Sequence, residues 1–303
     1  MTYTDGSRSK VLFIGGYGRS GSTLLGRILG HTDGFFYAGE VRHMWREGVL
    51  EDRRCGCGEP FSRCPLWQEV LRRAYPDGSD VQQVLDLKAR VDRFFCVPQI
   101  AAGLPAGFRR DRDRYTDLLA RLYRAIEEVS GARVIVDSSS DVSHGWLLTK
   151  TDIDLAIVHL VRDSRATAFS WARHKFNPGS GGEMNRYSAV RSALEWDAIN
   201  AFTHLQRRSG VPFTVLRYDD LVADPPSAIA RAISLTGEQV PPPLEANEIT
   251  FEIDHSVAGN PIRFRNGQIA IRADEEWRTG MRPAARAAVG ALTWPGRRRY
   301  GFT

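Results

Sequence analysis

The sequence contains no long apolar run, no internal repeat and no low-complexity tract. None of its segments approaches the ~20 consecutive apolar residues of a membrane-spanning helix. Residues 1–10 are polar and lack the apolar core of a signal peptide. These absences predict a cytoplasmic protein with no integral membrane segment. A length of 303 residues, with 42% hydrophobic and 25% charged residues, suits one large α/β domain or two small ones.

Dense clusters of basic residues are also missing. Lys and Arg number 41 against 36 Asp and Glu, but the excess is scattered apart from Arg297, Arg298 and Arg299. A scattered excess favours a phosphate-bearing small molecule over a nucleic-acid surface, although solubility alone explains much of it. We therefore predict no nucleic-acid partner, and the oligomeric state stays open.

Short, compact apolar runs predict the strands of a buried sheet. They lie at residues 10–16, 132–137, 155–161 and 212–217. Each run is followed by a helix-like segment, such as residues 22–30. This β-α-β alternation predicts an α/β fold with a P-loop-type parallel sheet flanked by helices.

The chain between the first strand unit and the second apolar run is a long insertion. Residues 41–131 include an amphipathic stretch at 113–129, which predicts a mostly helical cap over the edge of the sheet. After the prolines at 241–243 the chain is predicted to be irregular until a final helix at 283–292. We predict a single domain over residues 1–303, with the insertion inside it.

A glycine-rich loop connects the first predicted strand to the first predicted helix. Residues 16–23, GYGRSGST, fit the spacing of the P-loop G-x-x-x-x-G-K-[ST], except that Ser22 stands at the lysine position. Backbone N–H groups and a helix N-terminus can hold an anion there. Without the lysine, the usual partner of the β- and γ-phosphates is missing, which disfavours a nucleoside triphosphatase. Arg19 returns a positive charge to the loop.

A second candidate anion site follows the third apolar run. Arg162 ends that predicted strand, and Ser170 lies eight residues later, about two turns along the next predicted helix. The two side chains can converge on one phosphate if the chain folds back after the strand. The planar guanidinium suits such a clamp because it bonds two phosphate oxygens at once.

Both segments resemble motifs of the sulfotransferases that use 3′-phosphoadenosine-5′-phosphosulfate (PAPS). The loop Gly-Arg-Ser-Gly-Ser-Thr-Leu-Leu is similar to their 5′-phosphosulfate loop, in the form typical of the bacterial carbohydrate and tyrosylprotein-type branch. Arg162 and Ser170 resemble the 3′-phosphate motif. Weaker similarities at residues 216–225 and 259–264 extend the match. The resemblance implies that the donor is bound by Arg19, Ser20, Gly21, Ser22, Thr23, Arg162 and Ser170, with Arg263 closing over the nucleotide.

The resemblance also implies a reaction. A sulfuryl group would pass in line from PAPS to the hydroxyl of a carbohydrate, lipid or natural product, leaving 3′-phosphoadenosine 5′-phosphate (PAP). No metal is required, because PAPS carries no β,γ-phosphate pair for Mg²⁺ to bridge. Arg19 would stand against the leaving oxygen, and Glu40, 21 residues further on, matches the catalytic glutamate of the tyrosylprotein enzymes. Glu40 also follows a predicted strand, where side chains project into the crevice of an open sheet.

Other candidates for the catalytic base remain beside Glu40. They are His43, Asp137, His144 and His159. His144 is predicted to lie on a helix surface, and His159 within an apolar strand is predicted to be a core histidine. Many relatives carry a lysine where this chain has Ser140, so that segment is not expected to supply a positive charge.

Three of the four cysteines crowd into one short segment. Cys55, Cys57 and Cys64 could bind Zn²⁺ with a fourth ligand or form a disulfide, and Cys96 lies apart. Their spacing matches no C-x₂-C pair, so we predict that they shape the cap and bind no metal. The segment contributes to structure in this interpretation.

Two other functions compete with sulfuryl transfer. A P-loop small-molecule kinase would use a similar loop, but Ser22 in place of lysine argues against it. A non-catalytic PAP-binding protein of similar fold is the second alternative, and Ser140 is the feature that supports it.

Overall fold

A five-stranded parallel sheet lies at the centre of the protein. The structure is a computed structural model that describes residues 8–78, 80–103, 105–244 and 246–302. The sheet has the order β2-β3-β1-β4-β7. In chain order the strands are β1 Lys10–Gly15, β2 Phe35–Gly39, β3 Val134–Ser140, β4 Asp154–Val161, β5 Phe176–Asn177, β6 Gly182–Glu183, β7 Phe213–Arg217, β8 Glu248–Phe251 and β9 Gly267–Ala270.

Helices cover both faces of this sheet. They are α1 Ser22–Gly30, α2 Pro65–Ala74, α3 Val81–Val91, α4 Val97–Ala102, α5 Ala106–Ser130, α6 Val142–Leu148, α7 Ser164–Ala172, α8 Ala189–Leu205, α9 Tyr218–Ala223, α10 Pro225–Ser234, α11 Trp277–Gly280, α12 Pro283–Leu292 and α13 Trp294–Arg299. The predicted fold class, a parallel sheet flanked by helices, is confirmed. In the part of the chain that the structure describes, no helix is both long and apolar enough to span a membrane.

Strand β1 shows why the sheet is buried on both sides. Val11 and Phe13 join one hydrophobic cluster, and Leu12 and Ile14 join another on the opposite face. Successive side chains of a strand point to opposite faces, so a strand covered on both sides is apolar throughout. Burial of both faces therefore accounts for the unbroken apolar runs of the sequence.

The predicted bounds are accurate for helices and less so for one strand. Helices α1 and α12 have the predicted ends. The strand predicted at 132–137 instead begins at Val134 and continues to Ser140, because it pairs with β1 as far as Gly15, past an irregularity in register. The strand ends in Ser-Ser-Ser, and a search for apolar residues does not predict these serines as part of a strand, although their backbone stays in the sheet.

The insertion covers a face of the sheet as well as its edge. Helix α5 is its longest element, and the buried residues of α5 share one hydrophobic cluster with Val11 and Phe13 of β1. That helix therefore packs directly on the sheet, while α2 and α3 pack on α5. The prediction of a mostly helical insertion is confirmed, and α5 also covers β3 inside the sheet, beyond the edge where the insertion was predicted.

The chain beyond the prolines at 241–243 is more ordered than its composition suggests. Strands β8 and β9 form an antiparallel pair, and the loop between them returns to the central sheet. There Val257 pairs in parallel with Gly39 at the end of β2. The C-terminal part thus extends the edge of the sheet where the site lies.

Candidate active site

The loop after β1 has the backbone conformation of an anion-binding turn. Gly16 and Gly21 have φ values of +136° and +96°, which residues with a Cβ rarely adopt. A Cβ on Gly16 would lie 2.2 Å from the carbonyl oxygen of Leu160, so the close approach of β4 also requires glycine. Arg19 adopts φ +70° without being glycine, which is uncommon and costs free energy.

The N-terminus of α1 is open at the end of this loop. Gly21 occupies the N-cap position, no side chain caps the helix and its first turn contains no acidic residue. The free N–H groups and the helix dipole favour an anion. The Ser20 hydroxyl and Arg19 Nε are buried and make no hydrogen bond to any described residue. Buried polar atoms without partners are rare, which fits a site shaped for an anionic ligand.

The Arg19 side chain packs against Trp171 of α7 and against Met184. Its guanidinium carbon is 4.6 Å from the centre of the Trp171 ring, and one of its nitrogens is 3.3 Å from the sulfur of Met184. Burial lowers the pKa of Arg19, and the negative charge of Glu40 opposes that shift. Electrostatic coupling of this kind links the arginine of the loop to the candidate base.

Arg162, from the second candidate anion site, contacts the same loop. Arg162, at the end of β4, donates a hydrogen bond to the Arg19 carbonyl over 3.3 Å, and its guanidinium stacks 4.4 Å from the Tyr218 ring centre. It also pairs with the Asp274 carboxylate at 3.0 Å, a partner that an anion would have to displace. Strand β4 ends at Val161, so Arg162 is the first residue after the strand and not, as predicted, its last residue.

Ser170 lies two turns into α7, next to Trp171. The Trp171 indole donates a hydrogen bond to the Gly18 carbonyl over 3.2 Å. This part of α7 therefore packs against the glycine-rich loop at residues 16–23 (the phosphate loop). The Ser170 hydroxyl makes no hydrogen bond to another described residue and is only half-buried. Convergence of the Ser170 hydroxyl with Arg162 on one phosphate stays a prediction.

Glu40 is held at the end of β2 by its backbone. Its N–H donates to the Val257 carbonyl over 2.7 Å, and its own carbonyl accepts from His43 N–H. Gly39, directly before it, has φ +87°, and a Cβ there would lie 2.3 Å from the Val257 oxygen. Gly259 approaches the carboxylate so closely that a Cβ on it would lie 3.2 Å from Glu40 Oε1. Two glycines thus let the C-terminal loop pack against Glu40.

Burial gives the Glu40 carboxyl an unusual titration. Desolvation is the main cause that raises its pKa to about 8, the Glu47 carboxylate adds to the shift, and Arg263 and Arg19 oppose it. The side chain keeps 23% exposure, so solvent reaches it. His43 lies between the two carboxylates, 3.8 Å from Glu40 and 3.7 Å from Glu47. Burial lowers the pKa of His43 to about 4, so its imidazole is neutral near pH 7.

The remaining base candidates lie in the interior. His144 is fully buried, so its predicted place on a helix surface is wrong: Asp137 accepts a hydrogen bond at 3.1 Å from its ring, and α6 packs into the core. Burial favours the neutral Asp137 carboxyl, but hydrogen bonds from His144, Ser139 and Tyr123 outweigh it and lower the Asp137 pKa. His159 is a core histidine, as predicted, with Nε2 at 2.9 Å from Asn200 Oδ1.

Arg263 is almost completely buried beside Glu40. Its guanidinium donates to the carbonyl oxygens of Ser256 and Arg54 over 2.6 and 2.5 Å. Burial lowers its pKa, and the Glu40 charge is one of several that oppose the shift. The partners in this structure are backbone oxygens that join the C-terminal loop to the cap. Contact of Arg263 with a nucleotide stays a prediction.

Sequence reasoning missed Lys175, which lies in the turn before β5. Its ammonium donates to Asn260 Oδ1 over 3.0 Å. Desolvation is the main cause that lowers its pKa to about 8, and Arg19 and Arg265 lower it further. These effects place Lys175 in the electrostatic field of the phosphate-loop arginine. No sequence motif marks the residue, because its position depends on how the chain after α7 folds back. Ser140, at the position of the family lysine, instead donates to the Ser138 carbonyl.

Comparison with known proteins identifies this architecture. A model of the sulfotransferase family matches residues 12–242, which include the phosphate loop, Glu40, Arg162 and Ser170. The chain belongs to the sulfotransferase family. The resemblance drawn from the sequence motifs is therefore confirmed at the level of the family, and the branch stays a prediction.

Two solved structures share the fold of this sulfotransferase. The sulfotransferase domain from the curacin biosynthetic pathway is 15% identical with a TM-score of 0.51, over 98% of this chain and 99% of that one. The sulfotransferase domain from the Synechococcus PCC 7002 olefin synthase is 21% identical with a TM-score of 0.52, over 96% of each chain. None of the curated proteins matches the sequence. At these identities the likeness concerns the fold alone.

Proposed function

We propose that this sulfotransferase moves a sulfuryl group from PAPS to an acceptor hydroxyl, with Glu40 as the general base. The observation that carries the proposal is the phosphate loop: an open helix N-terminus, a buried Ser20 hydroxyl without a partner and Arg162 against the loop carbonyl. Such a loop suits a terminal phosphosulfate. PAPS supplies the sulfuryl group, and PAP leaves.

The donor would be held at its two anionic ends. The loop and the start of α1 would bind the 5′-phosphosulfate end through backbone N–H groups and two hydroxyls. The 3′-phosphate would be bound by Arg162, which contacts the loop, and by Ser170, which precedes the loop-contacting Trp171 on α7. The residues proposed for donor binding are Arg19, Ser20, Gly21, Ser22, Thr23, Arg162 and Ser170, with Arg263 as an outer member.

Glu40 would accept the proton of the acceptor hydroxyl while the hydroxyl oxygen of the acceptor bonds to sulfur. The sulfur–oxygen bond to the 5′-phosphate breaks in the same step, and the electron pair stays on the phosphate oxygen. A base must lie within hydrogen-bond reach of that proton and be ionised when it acts. The Glu40 carboxylate is partly exposed, which supports its access to an acceptor hydroxyl.

Positive charge would stabilise the leaving phosphate. Arg19 lies in the loop itself, and its charge is one of those that lower the pKa of Lys175. Fixed charges directed at the oxygen where negative charge develops lower the barrier. Lys175 would thereby supply the positive charge that relatives obtain from a lysine at the position of Ser140. This weakens the argument for a non-catalytic PAP-binding protein.

The acceptor would enter from the side of the cap, and its class stays open among carbohydrate, lipid and natural-product hydroxyls. A cavity of about 460 Å³ lies within the cap, but none of its lining residues comes from the phosphate loop. We therefore assign the acceptor no place in that cavity. A cytoplasmic location and a single-domain organisation also stay predictions, as does independence from metal in the transfer step.

The direct test is incubation of the protein with PAPS and a panel of hydroxyl acceptors from these three classes. Sulfated product and PAP should form together without Mg²⁺, and the acceptor should gain the mass of one sulfuryl group. The same panel with Mg²⁺–ATP should give no phosphorylated product. Phosphoryl transfer without sulfuryl transfer would establish the kinase alternative, and PAP binding without any turnover would establish the non-catalytic one.

A further inference from the structure

The cysteine segment of the cap meets a histidine from the far end of the chain. Cys64 Sγ lies 3.2 Å from His255 Nδ1, and Cys55 Sγ lies 3.9 Å from the same nitrogen. Cys57 completes the group, and the four ligand atoms all lie within 4.8 Å of one another. Cys55 and Cys64 are buried, whereas Cys57 and His255 are half-buried.

These separations are close to those of a tetrahedral metal site. With Zn–S bonds of about 2.3 Å and a Zn–N bond of about 2.0 Å, ligand atoms on a tetrahedron lie about 3.5–3.8 Å apart. The cluster therefore needs only small adjustments to enclose one ion. Three thiolates and one imidazole form a donor set typical of structural zinc.

The backbone around the cluster forms a built site. Cys55 N–H donates to the Glu59 carbonyl, and Gly58 N–H donates to the Cys55 carbonyl, both over 2.9 Å, so the first two cysteines lie on a tight turn. The Trp67 indole donates to the His255 carbonyl over 2.6 Å. A Cβ on Gly56 would lie 2.2 Å from Asp254 Oδ1, so glycine is required where the two segments meet.

We propose that Cys55, Cys57, Cys64 and His255 bind one structural Zn²⁺ ion. With four protein ligands the site has no open position, which separates it from catalytic zinc sites, where a water or substrate takes the fourth place. Binding would displace the thiol protons into solvent. The site goes beyond sulfuryl transfer and does not rest on it.

A disulfide explains less of this arrangement. It would join two of the three sulfurs and leave the third sulfur and the imidazole without a role. Zinc accounts for all four side chains at once. The sequence predicted no metal because only three ligands were visible in it. The fourth, His255, follows Cys64 by 191 positions and belongs to no motif.

The ion would fasten the C-terminal loop to the cap. His255 lies two residues before Val257, whose carbonyl accepts the Glu40 N–H. Arg263 also joins Ser256 to Arg54, next to Cys55, so the same two segments are held from both sides. Zinc would therefore act as a positioning element for the backbone at Glu40 and take no part in the chemistry.

Metal content of the protein, purified from medium without added metal, tests the proposal. We expect about one zinc ion per chain, retained through gel filtration. Cys64→Ser and His255→Ala should lower zinc affinity by more than the roughly 10–100-fold that loss of a second-shell partner costs. Cys96→Ser is the matched control, because Cys96 donates to the Arg90 carbonyl away from the cluster, and it should keep full zinc content.

A measurement on the wild-type protein covers the case in which variants fail to fold. A chelator should remove the zinc, and Co²⁺ added to the metal-free protein should give the visible absorption of tetrahedral cobalt with thiolate ligands. Less than one tenth of an ion per chain after added Zn²⁺ would overturn the proposal. A disulfide between two of the clustered cysteines in freshly purified protein would overturn it too. Neither outcome depends on whether sulfuryl transfer is observed.

Discussion

The phosphate loop and the surroundings of Glu40 differ in how much of their geometry the local sequence forms. The loop is shaped by the strand and helix on either side of it and is flanked by Arg162 and Trp171, which belong to one strand–helix unit. Glu40 instead depends on Val257, far along the chain. The turn itself thus forms locally between β1 and α1, although Arg162 and Trp171 reach it across more than 140 residues. The proposed acceptor side has no such local turn and depends on a junction between the cap and the C-terminal loop.

This difference has a consequence for stability and for chemistry. The turn between β1 and α1 should keep its form when the junction between the cap and the C-terminal loop shifts, because its own glycines form it. A carboxylate held by a long-range junction changes its position and its desolvation when that junction loosens. Substitutions on the two sides should therefore separate donor binding from turnover.

The largest expected effect is on turnover when the base is removed. Glu40→Gln keeps the size of the side chain but cannot accept a proton, so kcat should fall by about 10²–10⁴-fold, the usual contribution of a general base. Steady-state kinetics with PAPS and a working acceptor measures it. PAP affinity should stay within a few-fold, because the loop does not contain Glu40.

Glu69→Gln is the control for that substitution. Glu69 is a partly exposed carboxylate on α2 that pairs with Arg72 and Arg73. Its replacement should leave kcat within roughly 2-fold. Comparable turnover in Glu40→Gln and wild type would remove Glu40 from the mechanism and with it the proposed division between the two sides.

The next effect concerns donor binding. Arg162→Ala removes a buried guanidinium and should weaken PAP binding by about 2–4 kcal/mol, or about 30–1000-fold. Binding of 5′-AMP, which lacks the 3′-phosphate, should change much less. Calorimetry with both ligands measures the contrast, and Arg162→Lys should lie between the extremes because it keeps the charge without the planar fork.

Arg191→Ala is the matched arginine control. Arg191 is exposed on α8, where it pairs with Glu195 over 2.7 Å. Its loss should leave PAP affinity unchanged. An equal loss of PAP and 5′-AMP affinity in Arg162→Ala would contradict a specific 3′-phosphate clamp.

The junction itself should be sensitive to a single methyl group. Gly39→Ala forces a Cβ into left-handed backbone 2.3 Å from the Val257 oxygen and should lower the free energy of unfolding by about 1–3 kcal/mol. Gly107→Ala is its counterpart in α5, where a Cβ meets nothing within 4 Å. That change should be neutral or stabilising by up to about 1 kcal/mol. Urea unfolding compares the two, and equal stability of the variants would show that the junction is not tight.

The smallest effect is a dependence on pH. Glu40 acts as a base only when ionised, and its pKa is raised to about 8, so activity should be lost as pH falls below that value. Between pH 6 and pH 7, kcat/KM should rise about tenfold, because the ionised fraction rises tenfold per pH unit below the pKa. A rise centred below pH 6 would mean that Glu40 is less desolvated than its surroundings indicate.

Sequence patterns predicted most of the elements that build the proposed donor side. The apolar runs marked the strands, and the glycine-rich loop and Arg162 followed directly from them. Helix α1 has its predicted ends because its apolar spacing begins right after the loop. Such features depend on neighbours in the chain, which a local pattern records.

The surroundings of Glu40 were beyond prediction from the sequence. The approach of Gly259 and Val257 to Glu40, the place of Lys175 near Arg19 and the meeting of His255 with three cysteines all depend on contacts far apart in the chain. His144 was misplaced for a related reason: the packing of α6 against the core is set by other helices, and a polar residue gives no sign of it.

The measurement that tests the central claim most directly is calorimetric titration of the protein with PAP, with ATP and ADP as controls. We expect micromolar or tighter PAP binding without Mg²⁺, and loss of that affinity when the 3′-phosphate is absent. Absence of PAP binding, or a preference for Mg²⁺–ATP, would contradict the assignment of the loop and of Arg162 to a phosphosulfate donor.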